Sequence, residues 1–205
     1  YIIASGASTF DEVDKAVTAA LKINPELCLM QCNTNYTASL ENFKYIQLNV
    51  LKSYRVMYPE LVLGLSDHTP GHATVLGAVT LGAKVIEKHF TDNVKRAGPD
   101  HKFSMNPSSW QEMVDRTREL ENSLGSGIKR IEDNEKETVM LQRRSIRVKS
   151  DLTQGAILTR DKLEVLRPCP KNTISPDRMA SVLGKKLRND IFAGECVEWE
   201  NLESV

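Results

Sequence analysis

Two histidines carry the sharpest chemical signal in this sequence. His68 and His89 lie 21 residues apart, each next to an apolar run, so one strand–helix–strand passage separates them. In a parallel βα arrangement that passage puts both on neighbouring strand ends facing one opening, where functional groups gather. Two neutral imidazoles there can ligate a divalent metal, with carboxylates, water and substrate completing the shell. The plainer alternative is that a loop carbonyl satisfies either ring. Glu87 alternates with Lys88, so Glu87 shares a strand face with His89 while Lys88 points to the other. A carboxylate on that face suits acid–base or orienting work; a Glu–Lys packing contact would be structural only. Asp100, in Gly98-Pro99-Asp100-His101, sits on the following loop, where it could accept hydrogen bonds from sugar hydroxyls or simply start a turn. Polar groups follow the other runs as well: Ser5-Gly6, the segment from Gln31 to Tyr36 with Asn35 in it, and Ser66-Asp67 before His68.

These side chains need elements to position them. Apolar runs at 2–5, 27–32, 61–65 and 85–89 alternate with helical spacing over 9–23, 40–57, 73–81 and 108–124. Thr9 is placed to cap the first helix, with Asp11 and Glu12 in its first turn. Continuous apolar strands alternating with helices predict an α/β fold with a parallel sheet covered on both faces. Four βα units over residues 1–125 are half of an eight-stranded barrel or an open sheet; a whole barrel usually needs about 200 residues or more. No GxGxxG follows the first run, so a dinucleotide-binding sheet lacks its best signature. The opening Tyr1-Ile2-Ile3-Ala4-Ser5-Gly6 has the character of a buried strand. The C-terminal half of a TIM-type barrel, its first half missing, is therefore the expected architecture.

Gly125-Ser126-Gly127 ends the alternation, and residues 126–144 read as a charged linker with one short helix. Residues 145–205 form a second domain built on an internal repeat. The segment from Asp151 to Leu158 is echoed by that from Asp190 to Val197, and Leu163-Glu164 by Leu202-Glu203, each 39 residues on. Self-similarity at a fixed period means two copies of one unit, here short strands and turns around Gly155 and Gly194; two β-turns alike by chance is the alternative.

Composition narrows the function classes. Lys plus Arg equals Asp plus Glu at 27 each, which argues against broad electrostatic capture of nucleic acid or anionic membrane. The longest stretch free of these charges, 68–83, is too short and polar to span a bilayer. Four cysteines without a CxxC pair suggest reduced thiols in a cytoplasmic protein.

Three motifs in order, Ser66-Asp67-His68-Thr69, Glu87-Lys88-His89-Phe90-Thr91 and Gly98-Pro99-Asp100-His101-Lys102-Phe103-Ser104, together with Arg143-Arg144-Ser145 and the repeated Asp-x-x-x-Gly units, resemble the sialic acid synthases: N-acetylneuraminate synthase and its legionaminic and pseudaminic acid relatives. The resemblance covers essentially the whole chain. It implies a β/α barrel joined to a small β-rich antifreeze-like (SAF) domain, and a transferase that condenses phosphoenolpyruvate with an N-acetylated amino sugar, using Mn2+ or Mg2+. It makes His68 and His89 the metal ligands, Glu87 the pocket carboxylate and Ser66 a phosphate-side contact, with Ser5 a further substrate contact. Asn35 and Tyr36 would hold phosphoenolpyruvate and sugar, and Asp100 the sugar hydroxyls. Arg167, in Leu166-Arg167-Pro168, matches the arginine that reaches the barrel of the partner in a homodimer and contacts the N-acetyl group. The family's phosphate-binding lysines and an N-terminal glutamate would lie in the first half of the barrel, so residues 1–205 alone are expected to be inactive. A metal-dependent aldolase and a non-catalytic sugar-binding module remain the competing classes.

Overall fold

The computed structural model describes residues 1–203; the last two residues of the expected 145–205 domain lie outside the described residues. The chain divides into two compact units, Tyr1–Ile128 and Lys129–Val205.

In the first unit the apolar runs become strands β1 (Ile2–Ala4), β2 (Cys28–Cys32), β3 (Val62–Asp67) and β4 (Val85–Lys88), hydrogen-bonded in that order and all parallel. Between and after them run helices α1 (Phe10–Leu21), α2 (Val50–Met57), α3 (Ala73–Thr80) and α4 (Pro107–Leu124). Thr9 caps α1 as its position predicts. The Thr9 backbone N–H donates to Glu12 Oε2 at 2.8 Å and the Glu12 N–H donates to Thr9 Oγ1 at 3.4 Å, a reciprocal capping box. Val13 and Val17 of α1, Leu51 and Tyr54 of α2 and Ala78 of α3 pack with Leu29, Leu63 and Leu65 into the main core.

Helices cover one face of this sheet only. The two-faced cover expected from the continuous apolar runs is not found: on the other face Ile2 and Val62, both in register with Cys28, stay 63% and 45% exposed. That is the arrangement of a barrel segment, whose inner face needs more strands to close it. β1 and β4 are the edges of the sheet and do not pair with each other. On the inner face Met30 is fully buried because Gly64, beside it in register, has no side chain; a Cβ there would lie 2.9 Å from Met30 Cγ and 2.7 Å from the Val85 carbonyl oxygen.

The single helix expected over 40–57 is two pieces. Leu40–Tyr45 is a 3-10 helix, and α2 begins only at Val50. Gln47 has φ +53°, which no helix accommodates, and Gln31 Nε2 donates to the Ile46 carbonyl at 2.9 Å just before it.

The second unit opens with a 3-10 turn at Asp133–Glu135 and helix α5 (Lys136–Gln142), then β5 (Ser145–Val148) pairing antiparallel with β6 (Leu163–Leu166). The Met140 carbonyl accepts the Cys169 N–H at 2.9 Å, so α5, within the segment read as a linker, is tied to this unit. The repeat is visible as reciprocal bonding. Asp190 Oδ1 accepts the Gln154 N–H at 2.7 Å, and Asp151 Oδ1 accepts the Ala193 N–H at 2.8 Å. Leu152 and Ile191 exchange both backbone hydrogen bonds at 2.9 Å. Gly155 donates to Leu187 and Gly194 to Val148, both at 2.8 Å. Both glycines turn the chain at φ near +80° (+79° and +84°), a region costly for residues with a Cβ. Ile146, Leu163, Leu187 and Leu202 belong to the core between the copies.

Candidate active site

Parallel register carries alternate residues of each strand onto the same face. Cys32, Ser66 and Glu87 are in register across β2, β3 and β4, and form a row at the C-terminal end of the inner face. The Ser66 hydroxyl donates to Glu87 Oε1 at 3.1 Å. Burial pushes the Cys32 thiol up, opposed by its hydrogen bond with the Ser66 side chain and reinforced by the Glu87 and Asp67 charges, so it stands in this row as a neutral side chain.

One pleat beyond that row, His68 and His89 emerge on the same face, their ring centroids 5.1 Å apart. His68 is 3% exposed, and its Nδ1 lies 2.8 Å from the Asn33 carbonyl. A carbonyl only accepts, so Nδ1 carries a proton, and in the neutral ring the lone pair is then on Nε2. That is how a metal-ligating histidine is oriented from behind. The loop carbonyl and the ligand role, alternatives on sequence grounds, are therefore compatible. His89 Nδ1 is 3.7 Å from Asp100 Oδ2, and the His89 carbonyl accepts the Met105 N–H at 2.8 Å, which docks the 90–106 loop on the end of β4.

Two further rings complete the group. Tyr36 lies 4.2 Å from His68 and 5.5 Å from His89, and Phe103 lies 5.0 Å from His89, centroid to centroid. Tyr36 remains half exposed while Phe103 is buried. The Tyr36 loop is held by Asn35, whose Nδ2 donates at 3.1 Å to Oδ1 of the buried Asn42, and by Asn33, whose Nδ2 donates to the Tyr45 carbonyl at 3.2 Å. A cavity of about 640 Å³ opens over the ends of β1 and β2, lined by Ser5, Gln31, Asn33, Asn35, Gln47 and Tyr54 among others; neither histidine lines it.

The structure thus gathers His68, His89, Glu87, Ser66, Tyr36 and Asp100 at one end of the sheet, with Asn35 on the neighbouring loop. Ser5 stands apart from the histidine group: it is buried, and its hydroxyl donates to the Met30 carbonyl at 3.0 Å and lies 3.4 Å from Gln31 Oε1. Arg167 belongs to the second unit, exposed at the end of β6, with Nε donating to the Gln142 carbonyl at 2.7 Å. Sequence reasoning did not single out Asn33, which orients His68; it placed Phe103 in the third motif without its contact to His89. The first acts through its backbone and leaves no mark in the sequence.

As a metal site the donor set is partial. Among the described residues no cluster of three or more His, Cys, Asp or Glu could hold an ion. Two correctly presented imidazoles fit an open site in which substrate and water supply the remaining ligands.

Residues 1–129 match the NeuB family and residues 143–203 the SAF domain. The N,N'-diacetyllegionaminic acid synthase of Legionella pneumophila is 35% identical over 99% of this chain and 57% of its own length. The human N-acetylneuraminate-9-phosphate synthase is 32% identical over 91% of this chain and 51% of its own. The crystal structure of the N-acetylneuraminic acid synthetase from Leptospira borgpetersenii superposes with a TM-score of 0.59 at 28% identity, covering 67% of this chain and 47% of that one. The chain spans about half the length of the curated relatives it matches. A barrel segment of parallel βα units matched to the NeuB family, followed by an SAF domain, leaves one assignment: this chain belongs to the NeuB family.

Proposed function

We propose that this protein is a nonulosonic acid synthase, a transferase that joins C3 of phosphoenolpyruvate to the aldehyde of an N-acetylated amino sugar, takes up one water at C2 and releases phosphate. The observation that carries the reading is the His68–His89 pair, 5.1 Å apart, with Nδ1 of His68 committed to the Asn33 carbonyl. Relatives named for legionaminic, neuraminic and pseudaminic acid synthesis support it.

His68 and His89 would hold a divalent ion through ring nitrogens. Nitrogen donors suit manganese better than magnesium, which prefers oxygen and keeps its waters. When bound, the ion supplies Lewis-acid polarisation of the sugar carbonyl oxygen. Tyr36 and Phe103 flank the pair and exclude water from that side. Glu87 accepts Ser66 at Oε1 and keeps Oε2 to receive or return a proton at a sugar hydroxyl. Asp100, beside His89, accepts hydrogen bonds from further hydroxyls. A serine has one hydroxyl proton, so Ser66 must release Glu87 to donate to the phosphate of phosphoenolpyruvate. Asn35 presents the loop between the two ligands. Arg167 is assigned to the N-acetyl group of sugar in a partner's barrel, which makes a homodimer the active form.

The deciding experiment is phosphate release by the full-length protein with phosphoenolpyruvate and Mn2+, comparing N-acetylmannosamine, its 6-phosphate and diacetamido sugars side by side. Release that requires one of these sugars is expected. No release with any of them refutes the reading.

A further inference from the structure

Three pairs of residues in β3 and β4 or directly after them are related by the same offset: Ser66 with Glu87, Asp67 with Lys88, and, one residue past the strands, His68 with His89. The first and third face the site. The second faces the helices and takes no part in the chemistry proposed above. Asp67 and Lys88 are in register, and their side chains are 0% and 1% exposed.

Their hydrogen bonds reach four separate pieces of backbone. Lys88 Nζ donates to Asp67 Oδ2 at 2.6 Å and to the Thr69 carbonyl at 2.7 Å. Asp67 Oδ1 accepts the Thr69 N–H at 3.0 Å and the Thr69 hydroxyl at 2.9 Å. Thr74 Oγ1, in the first turn of α3, donates to Asp67 Oδ2 at 2.5 Å. The end of β3, the loop after it, the start of α3 and the end of β4 are therefore tied at one point.

A buried ion pair is not needed for stability, since apolar residues of similar volume often serve as well or better. What an apolar pair cannot do is fix those four pieces of backbone in one geometry. His68 lies between two of the tied residues, and His89 directly follows a third. We infer that Asp67 and Lys88 are positioning residues: a clamp behind the sheet that sets the spacing and orientation of the His68 and His89 rings in front of it. Metal sites tolerate only a few tenths of an ångström in ligand position, so a clamp of this kind acts where it matters most. The inference rests on the proposed metal-site reading, which it deepens.

The test uses full-length protein labelled with 15N at histidine, comparing wild type, the apolar double variant Asp67→Leu/Lys88→Met, and the milder Thr74→Val. One readout is the long-range 1H–15N spectrum of the imidazoles without metal, which reports the His68 tautomer. The other is calorimetric titration with Co2+. The double variant should stay folded, lose the fixed Nδ1–H signature of His68, and bind Co2+ at least 10-fold more weakly. Thr74→Val should move both readouts the same way by less. A folded double variant with wild-type imidazole spectra and wild-type Co2+ affinity overturns the clamp. If the double variant does not fold, unchanged spectra and affinity in Thr74→Val overturn it instead. A wild type that binds no Co2+ while the double variant still disturbs the imidazoles refutes the metal reading and leaves the clamp standing.

Discussion

Ser66 Oγ and Glu87 Oε1 meet across 3.1 Å, one from each of two adjacent strands at the same level of the sheet. The bond holds one carboxylate oxygen and leaves the other for substrate. Glu87→Gln keeps the shape and an acceptor for Ser66 but cannot take a proton. Acid–base groups contribute about 10²–10⁴-fold, so kcat of the full-length protein should fall by about 10²-fold or more with KM for phosphoenolpyruvate nearly unchanged. Steady-state phosphate release measures this, and a variant within threefold of wild type in kcat would remove Glu87 from proton transfer.

His68→Ala and His89→Ala should each abolish stoichiometric Mn2+ or Co2+ binding in calorimetry. His89 is partly exposed and its loss should shift the melting temperature by only a few degrees. His68 is buried, and its replacement also strands the Asn33 carbonyl, a cost of about 1–3 kcal/mol. Retained binding in either variant places the metal elsewhere.

Tyr58 gives the first unit a pH dependence unrelated to the site. Burial, then its hydrogen bond to Asp14 Oδ1 at 2.9 Å, pushes its phenol up from 10.0 to about 12. The folded state thus favours the protonated form. The stabilisation is fully present below pH 10 and is lost as pH rises through about 12. Melting temperatures followed from pH 9 to 12 should fall less steeply in Tyr58→Phe than in wild type; parallel curves would contradict the assignment.

In the second unit Asp151→Ala and Asp190→Ala should each cost about 1 kcal/mol, since both aspartates are exposed and each loses one bond to a backbone N–H. Denaturant unfolding measures the loss. Because the two bonds join the same pair of turns, the double variant should depart from additivity.

Much of this was legible in the chain because apolar runs and caps act locally. The runs at 2–5, 27–32, 61–65 and 85–89 became β1 to β4, and Thr9 capped α1 from the position that its type and place announced. Alternation alone put Lys88 on the face opposite Glu87. What it could not show is that Lys88 finds Asp67, because that contact depends on the register between strands. The break at Gln47 was hidden for another reason. A 3-10 helix and an α-helix share apolar contacts three residues apart, and the interruption goes with Gln31, distant in sequence, donating to the Ile46 carbonyl. The docking of Tyr36 on His68 was equally out of reach, since the loop's path is set by Asn33 and Asn35 binding the 42–45 turn.

The exchanged aspartates of the second unit bear on how that unit comes to be assembled. Each repeat carries the acceptor that closes the other's turn, so neither can finish its own bonding alone. The two repeats also share one core, with Leu163 of the first copy and Leu187 and Leu202 of the second in the same buried cluster, so the unit is expected to unfold as one cooperative piece. The backbone bridges Leu152 with Ile191, Ile157 with Lys186 and Arg147 with Cys196 run between the copies as well, so what looks like a chain of two short repeats is held as a single interlocked body.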